Sequence, residues 1–267
     1  MKVFVDAIAL WAPTLPDWAT ARAAFRGEHA GVQPLARRPS PDILPPPERR
    51  RLPDSVALAL TVADAAVRQS GRSARELPSV FTSCHGDLPI TDAICTALVE
   101  HPERVSPTRF HNSVHNAASG YWGIATGCVQ ASTAVSAFES SFAAGLLEVA
   151  TQVAADERTV LLVGYDVAAC GALASTTASR GLLAVALVLA PQRSSRTRAA
   201  LEWRLDPGPV ERIALRSEAA LPLAMNAMAD ALPLFEALAR GDTGPLRMPL
   251  SAALALQVAL GEFAHRG

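Results

Sequence analysis

Apolar positions along this chain come in two rhythms, short unbroken runs and longer stretches with a period near 3.6, and the two alternate. The runs predict strands at residues 2–10 (KVFVDAIAL), 78–88 (PSVFTSCHGDL, a strand running into a turn), 131–138 (ASTAVSAF), 158–167 (RTVLLVGYDV), 181–191 (GLLAVALVLAP) and 200–207 (ALEWRLDP). The fourth has the apolarity of a strand buried on both faces of a parallel sheet. Helical spacing predicts helices over 17–27, with Asp17 as cap and Gly27 as stop, and over 54–70, with Asp54 or Ser55 as cap and Gly71 as terminator. Further helices are expected at 89–103, ending near Pro102, at 115–127 after an irregular stretch, and at 139–155. Residues 225–242 read as an amphipathic helix interrupted at Pro233, and 245–264 as one more strand or helix. Met225 and Met228, three apart, are expected to line the core. Residues 32–54 are too dense in proline and arginine for a long helix and predict an extended surface excursion. Alternating strands and helices, with no repeat or linker, predict one α/β layered domain over 1–267.

Composition narrows the function classes. With 267 residues, half of them hydrophobic, the chain can bury a sizeable core. A formal net charge of −1 gives no electrostatic case for nucleic acid or an anionic membrane surface. The apolar N-terminus meets Asp6 and then Pro13, too short and interrupted for a leader or a span, and 181–191 is also below spanning length, so a cytoplasmic protein is expected. Cys84, Cys95, Cys128 and Cys170 form no CxxC pair, which excludes a zinc knot or a redox motif of that kind. Arg49, Arg50 and Arg51 have the sign to meet an acidic partner, but a short charge run of this kind reads as a solvated turn.

Few residues carry chemistry on their own. Neither GxGxxG nor GxxxxGK[ST] occurs, so no phosphate cradle is expected, and no GxSxG elbow occurs either. Cys84 stands beside His85, with Asp87 nearby; adjacent strand residues point to opposite faces, so the two are not expected to pair as nucleophile and base. His111 and His115 are four apart but flank Asn112 and Ser113 and lack a third ligand, so no metal site is expected. Glu139 sits where a strand gives way to a helix in the apolar stretch VSAFESSFAAGLLEV. Unpaired N–H groups and the helix dipole favour an acid there, which is a sufficient structural reason for it.

The stretch from Ser106 to Gly127, SPTRFHNSVHNAASGYWGIATG, adds a different kind of information. Its series SVHNA, GYW and IATG, followed by AAGLLE, resembles the β-ketoacyl synthases of the thiolase superfamily, and above all the short synthase-like N-terminal proteins of aryl-polyene and related pigment pathways. The likeness is densest from residue 80 to 190. It implies a thiolase-like layered fold that holds the family's N-terminal half and a shortened C-terminal part. Laid on the family pattern without gaps, Ser106–Pro107, Asn116, Gly120 and Gly164 fall on family positions. The nucleophilic cysteine then falls on Glu139.

A condensing enzyme needs a thiolate that holds an acyl chain as a thioester, and a helix N-terminus lowers the thiol pKa to supply it. Glutamate cannot take that role, Cys128 lies eleven residues upstream on another element, and the family's C-terminal histidines have no counterpart beyond His265. The resemblance therefore implies a catalytically silent, chain-length-factor-like subunit with no catalytic residue, cofactor or metal of its own. It would pair with an active synthase across the strand of residues 132–138, with Ser132, Val135, Ser136 and Phe138 at the interface. Thr108, Arg109, Phe110 and Asn116 would lie near the partner's acyl tunnel, Arg109 where many synthases carry a bulky apolar gate. Acyl carrier protein is a second possible partner. The alternative is a diverged enzyme acting on acyl or malonyl thioesters through Glu139 or Cys84.

Overall fold

The computed structural model describes residues 1–28, 38–177 and 179–261. His265 and residues 32–37 of the proline–arginine stretch lie outside the described residues. In chain order the elements are β1 (Lys2–Trp11), α1 (Trp18–Phe25), α2 (Pro46–Arg49), α3 (Asp54–Ser70), β2 (Ser79–Thr82), α4 (Leu88–Glu100), α5 (Pro107–Ser113), α6 (Ala117–Thr126) and β3 (Ser132–Val135). They continue with α7 (Ser141–Asp156), β4 (Val160–Asp166), β5 (Leu183–Ala190), β6 (Ala199–Pro207), α8 (Leu232–Arg240), β7 (Leu246–Ser251) and β8 (Leu254–Gly261).

All eight strands form one mixed sheet in the order β3-β2-β4-β5-β1-β6-β8-β7. β2 runs parallel to both β3 and β4, while β5 is antiparallel to both β4 and β1. The sheet is covered on both sides. Helices α3 and α6 pack over one face, and α1, α7 and α8 over the other. This is the α/β layered arrangement the alternation predicts, and β4 is buried at every position, as its apolarity requires.

β1 shows how one polar residue enters the middle of a buried strand. Val3 and Val5 face the α7 side, and so do Ile8 and Leu10, although the parity has changed from odd to even. A bulge between Val5 and Ala7 makes Asp6 the extra residue and flips the alternation. Asp6, 1% exposed, is satisfied by Arg72 Nη2 at 3.0 Å and by the hydroxyls of Ser194 and Thr197, each at 3.1 Å.

Several expectations need correction. Helix α3 begins as expected, but Pro53 occupies the cap and its side chain accepts no bond from the first turn; Asp54 pairs with Arg38 and Ser55 Oγ donates to Asp87 instead. The irregular stretch before α6 contains a true helix, α5, capped by Ser106 with Pro107 in its first turn. Pro233 does not interrupt a helix but opens α8, where a missing N–H costs nothing. Residues 246–261 make a hairpin of two strands rather than a single element. Met228 is buried as expected, whereas Met225 is exposed. The excursion carries the short helix α2, and Arg49 of its basic run is held by Asp42 at 2.5 Å.

Candidate functional site

Parallel strands β2, β3 and β4 end on one side of the sheet, and the segments leaving them converge there. This is where α/β folds place ligands and chemistry, because side chains from several loops meet around open helix N-termini. β3 leaves through an elbow, a 3-10 turn over Phe138–Ser140, before α7 begins at Ser141. Glu139 therefore stands ahead of the helix rather than in its first turn.

Three bonds tie the elbow down. Thr82 Oγ1 donates to the carbonyl of Ser141 at 2.7 Å, Ser141 Oγ donates to that of Phe138 at 2.6 Å, and the Ala137 N–H donates to Ser141 Oγ at 3.1 Å. Phe138 takes a left-handed φ of 54°, a conformation that costs a bulky residue energy and is kept only where its surroundings fix it. Its ring meets His85 edge-on at 5.5 Å.

The turn after β2 carries the next part of the site. The strand ends at Thr82, so Cys84 and His85 lie beyond it, and Gly86 with φ +66° bends the chain toward α4. Outside the pleat the opposite-face argument lapses. Cys84 Sγ and His85 Nε2 meet at 3.1 Å, which corrects the expectation that they would not pair. The Thr177 hydroxyl also reaches His85 Nε2, at 2.6 Å. Burial lowers the His85 pKa, which favours the neutral ring, and an unprotonated Nε2 has one lone pair with which to accept from either partner.

Asp166, the last residue of β4, organises this turn. It is 1% exposed and accepts from Ser83 Oγ at 2.7 Å and from the backbone N–H groups of Cys84 and His85 at 2.9 and 3.3 Å. Burial still pushes its carboxyl up to about 7, against those three donors. Cys84 is pushed up to about 12, first by burial, then by the nearby Asp166, Asp230 and Glu139 carboxylates. At neutral pH it is a thiol, the opposite of an activated nucleophile.

The acid at the head of α7 is not the expected one. Glu139 is 67% exposed at its side chain and pairs with Arg212 at 2.6 Å. The N–H groups of Phe142 and Ala143, in the first turn, donate instead to Asp230 Oδ2 at 2.9 and 3.4 Å. Asp230 comes from the turn Ala229–Ala231, just before α8, and burial pushes its carboxyl up to about 8.

The remaining predicted residues lie on α5, at the start of α6 and along β3. Thr108, Arg109 and Phe110 lie exposed on α5, and Asn116 is exposed at the start of α6, where its side chain makes no cap bond. Ser132 accepts from Ser79 Oγ at 3.0 Å, Val135 pairs with Thr82, and Ser136 Oγ donates to the Cys84 carbonyl at 3.0 Å. His111 packs edge-on against Tyr121, and His115 Nε2 donates to the Ser83 carbonyl at 2.9 Å. Among the described residues no group of three or more metal-ligating side chains converges.

Comparison with known proteins follows from this geometry. The family model described as "Beta-ketoacyl synthase, N-terminal domain" matches residues 20–242. The chain belongs to the β-ketoacyl synthase N-terminal domain family. Among solved structures, a ketosynthase (ApeO) in complex with its chain length factor (ApeC) from Xenorhabdus doucetiae matches with a TM-score of 0.74 and 23% identity, over 97% of this chain and 99% of that one. The ishigamide ketosynthase/chain length factor matches with a TM-score of 0.69 and 16% identity, over 97% and 99%. A type II polyketide synthase assembly, AntDE:AntF, in which an acyl carrier protein is bound to its ketosynthase, gives 0.71 and 12%, over 97% and 99%. No curated protein sequence matches the chain. At these identities the likeness establishes the thiolase-like ketosynthase fold.

Within a synthase-like fold, sequence reasoning singled out Glu139 and Cys84 but missed Asp166, Asp230 and Thr177. Asp166 had a visible signal, one acid in the apolar run VLLVGYDV. Asp230 had none, because its partner amides lie 88 residues back along the chain.

Proposed function

We propose that this chain is a catalytically silent, chain-length-factor-like subunit that pairs with an active β-ketoacyl synthase and shapes its acyl tunnel, in the cytoplasm, during assembly of a polyene or fatty-acid-type chain. One observation carries the reading. The elbow that opens α7 presents Phe138, Glu139 and Ser140, with no thiol where the resemblance sets the family's nucleophile. The exposed carboxylate of Glu139, paired with Arg212, cannot hold an acyl group as a thioester. The free side of β3 supports pairing: it edges the sheet, and Ile124 on α6, Val129 before the strand and Phe138 after it are large apolar residues left exposed beside it. An open edge with apolar surroundings is a template for a second strand. Acyl carrier protein is a further proposed partner, docking on one or both subunits.

Co-expression with a catalytic synthase tests the reading. A stable complex is expected, and Arg109→Ala or Phe110→Ala within it should shift product length by at least one extension unit while total output stays within about threefold, since neither residue does chemistry. Unchanged product distributions from both variants, or a chain that never captures a synthase, would overturn it.

A second reading, acyl transfer by Cys84, gains one observation, the 3.1 Å contact with His85. Burial and the surrounding carboxylates oppose it by keeping the thiol protonated. Cys84→Ser should leave the output of the complex unchanged; loss of product from an assembled complex would favour this alternative.

A further inference from the structure

A helix N-terminus stabilises negative charge because its first N–H groups have no partners within the helix. In α7 two of those groups, Phe142 N–H and Ala143 N–H, are directed at one atom, Asp230 Oδ2, at 2.9 and 3.4 Å. The second oxygen, Oδ1, is sealed from solvent and has no partner among the described residues. A carboxylate placed only to tie α8 to α7 gains nothing from a buried oxygen left without a donor, because that oxygen still bears its desolvation cost.

We propose that Asp230 is an internal occupant of the anion position at the head of α7: it takes the two amides that a thiolate or thioester oxyanion formed at the elbow would use, and so closes this subunit's own elbow to acyl transfer. The inference rests on the non-condensing role and adds a second lock to the missing nucleophile. Restoring a cysteine alone would not restore a reactive thiol.

The charges around Asp230 act in the same sense. Asp166 approaches from the end of β4 and Cys84 from the turn after β2, and Cys84 is in turn within reach of Glu139 at the elbow. Arg212 is the cation that faces Asp230, and it is shared with Glu139, 2.6 Å away. Burial holds Asp230 up to about 8, in the range where an ordinary thiol ionises, so a new thiol and Asp230 would titrate as a coupled pair, each opposing the other's charge.

The test installs a thiol in the full chain at either elbow position, Glu139→Cys or Phe138→Cys, and follows site-resolved alkylation by iodoacetamide from pH 6 to 10. The exposed Cys95 serves as the internal reference. With Asp230 in place the new thiol should ionise no more readily than Cys95. Adding Asp230→Asn, which keeps an oxygen to accept from Phe142 and Ala143 while removing the charge, should lower the pH midpoint of its alkylation by up to about one unit relative to Cys95, with the difference in rate read above pH 8, where Asp230 is ionised. Asp230→Ala, which also frees both amides, should lower it further. A purely structural role for Asp230 would lower the melting temperature of the alanine variant and leave the thiol's pH midpoint where it was.

A depressed midpoint with Asp230 present, or no change on Asp230→Asn, would overturn the proposal. If the alanine variant fails to fold, the single cysteine variants and the asparagine variant decide the matter. The readout needs no partner subunit, so its failure is separable from failure of the chain to capture a synthase.

Discussion

At the residue scale, two buried carboxyl groups organise the site, and both carry consequences for stability. Burial raises Asp166 to about 7 and Asp230 to about 8, from an ordinary 3.8. The fold therefore holds these protons more tightly than the unfolded chain does. Their contribution is complete below about pH 4 and is lost as the pH rises through 7 and 8. Urea denaturation at pH 5 and pH 8 should show stability falling over that interval, and Asp230→Asn should flatten the fall; an equal slope in both proteins would contradict the shift. Neither acid's role could be read locally. Asp166 matters through Ser83, Cys84 and His85, which lie more than eighty positions earlier. Cys84 and His85 were misread for a related reason: the strand-face argument holds inside β2, and β2 ends two residues too soon.

At the scale of elements, helix starts and stops were the most legible features. Asp17 does cap α1, accepting from Thr20 N–H at 2.7 Å, and Gly71 and Gly127 end α3 and α6 in the left-handed conformation. One miss occurred at Pro233, read as a breaker although it opens a helix, and another in the stretch read as irregular, where Pro107 opens α5. The closeness of α7 to the sheet was visible only in AAGLLE, and its reason is steric. A Cβ on Gly145 would lie 2.9 Å from Thr82 Cγ2 and 3.2 Å from Leu162 Cδ1. Thr82 cannot yield easily, because its hydroxyl holds the Ser141 carbonyl at the elbow. Gly145→Ala should therefore destabilise the chain by about 1–3 kcal/mol despite alanine's better helix propensity, measured by urea denaturation. A neutral or stabilising result would mean that α7 stands further from β2 than described.

For the whole molecule, the decisive asymmetry is between the two edges of the sheet. At the far edge β7 carries Pro249, which cannot donate to a further strand. The β3 edge has no such protection and has apolar side chains around it, Val129 being 91% exposed. That difference is the expected mark of one edge kept for a partner. Ile124→Asp or Val129→Asp should weaken capture of a synthase by about a hundredfold or more while the melting temperature of the free chain stays unchanged, read by titration of the purified subunits. Retained affinity in both variants would move the interface elsewhere. The fold class and the candidate strand were legible because they rest on periodicity and on an ordered series of motifs. The site was not, because it is built from four segments that meet only after folding.

The sheet order also sets a timetable. β1 opens the chain, yet its two neighbours are β5, paired as Phe4 with Ala190, and β6, paired as Lys2 with Glu202. During synthesis the first strand must therefore wait, with Val3, Val5, Ile8 and Leu10 uncovered, until some 180 further residues have been made, an interval of roughly 10–40 s at ribosomal rates. The β2–β3–β4 parallel unit can assemble in that time, and β1 joins it only once β5 is made, ahead of β6, β8 and β7. Such a chain stays open to capture during its own translation, when a partner, or a chaperone, can meet it before its centre has closed.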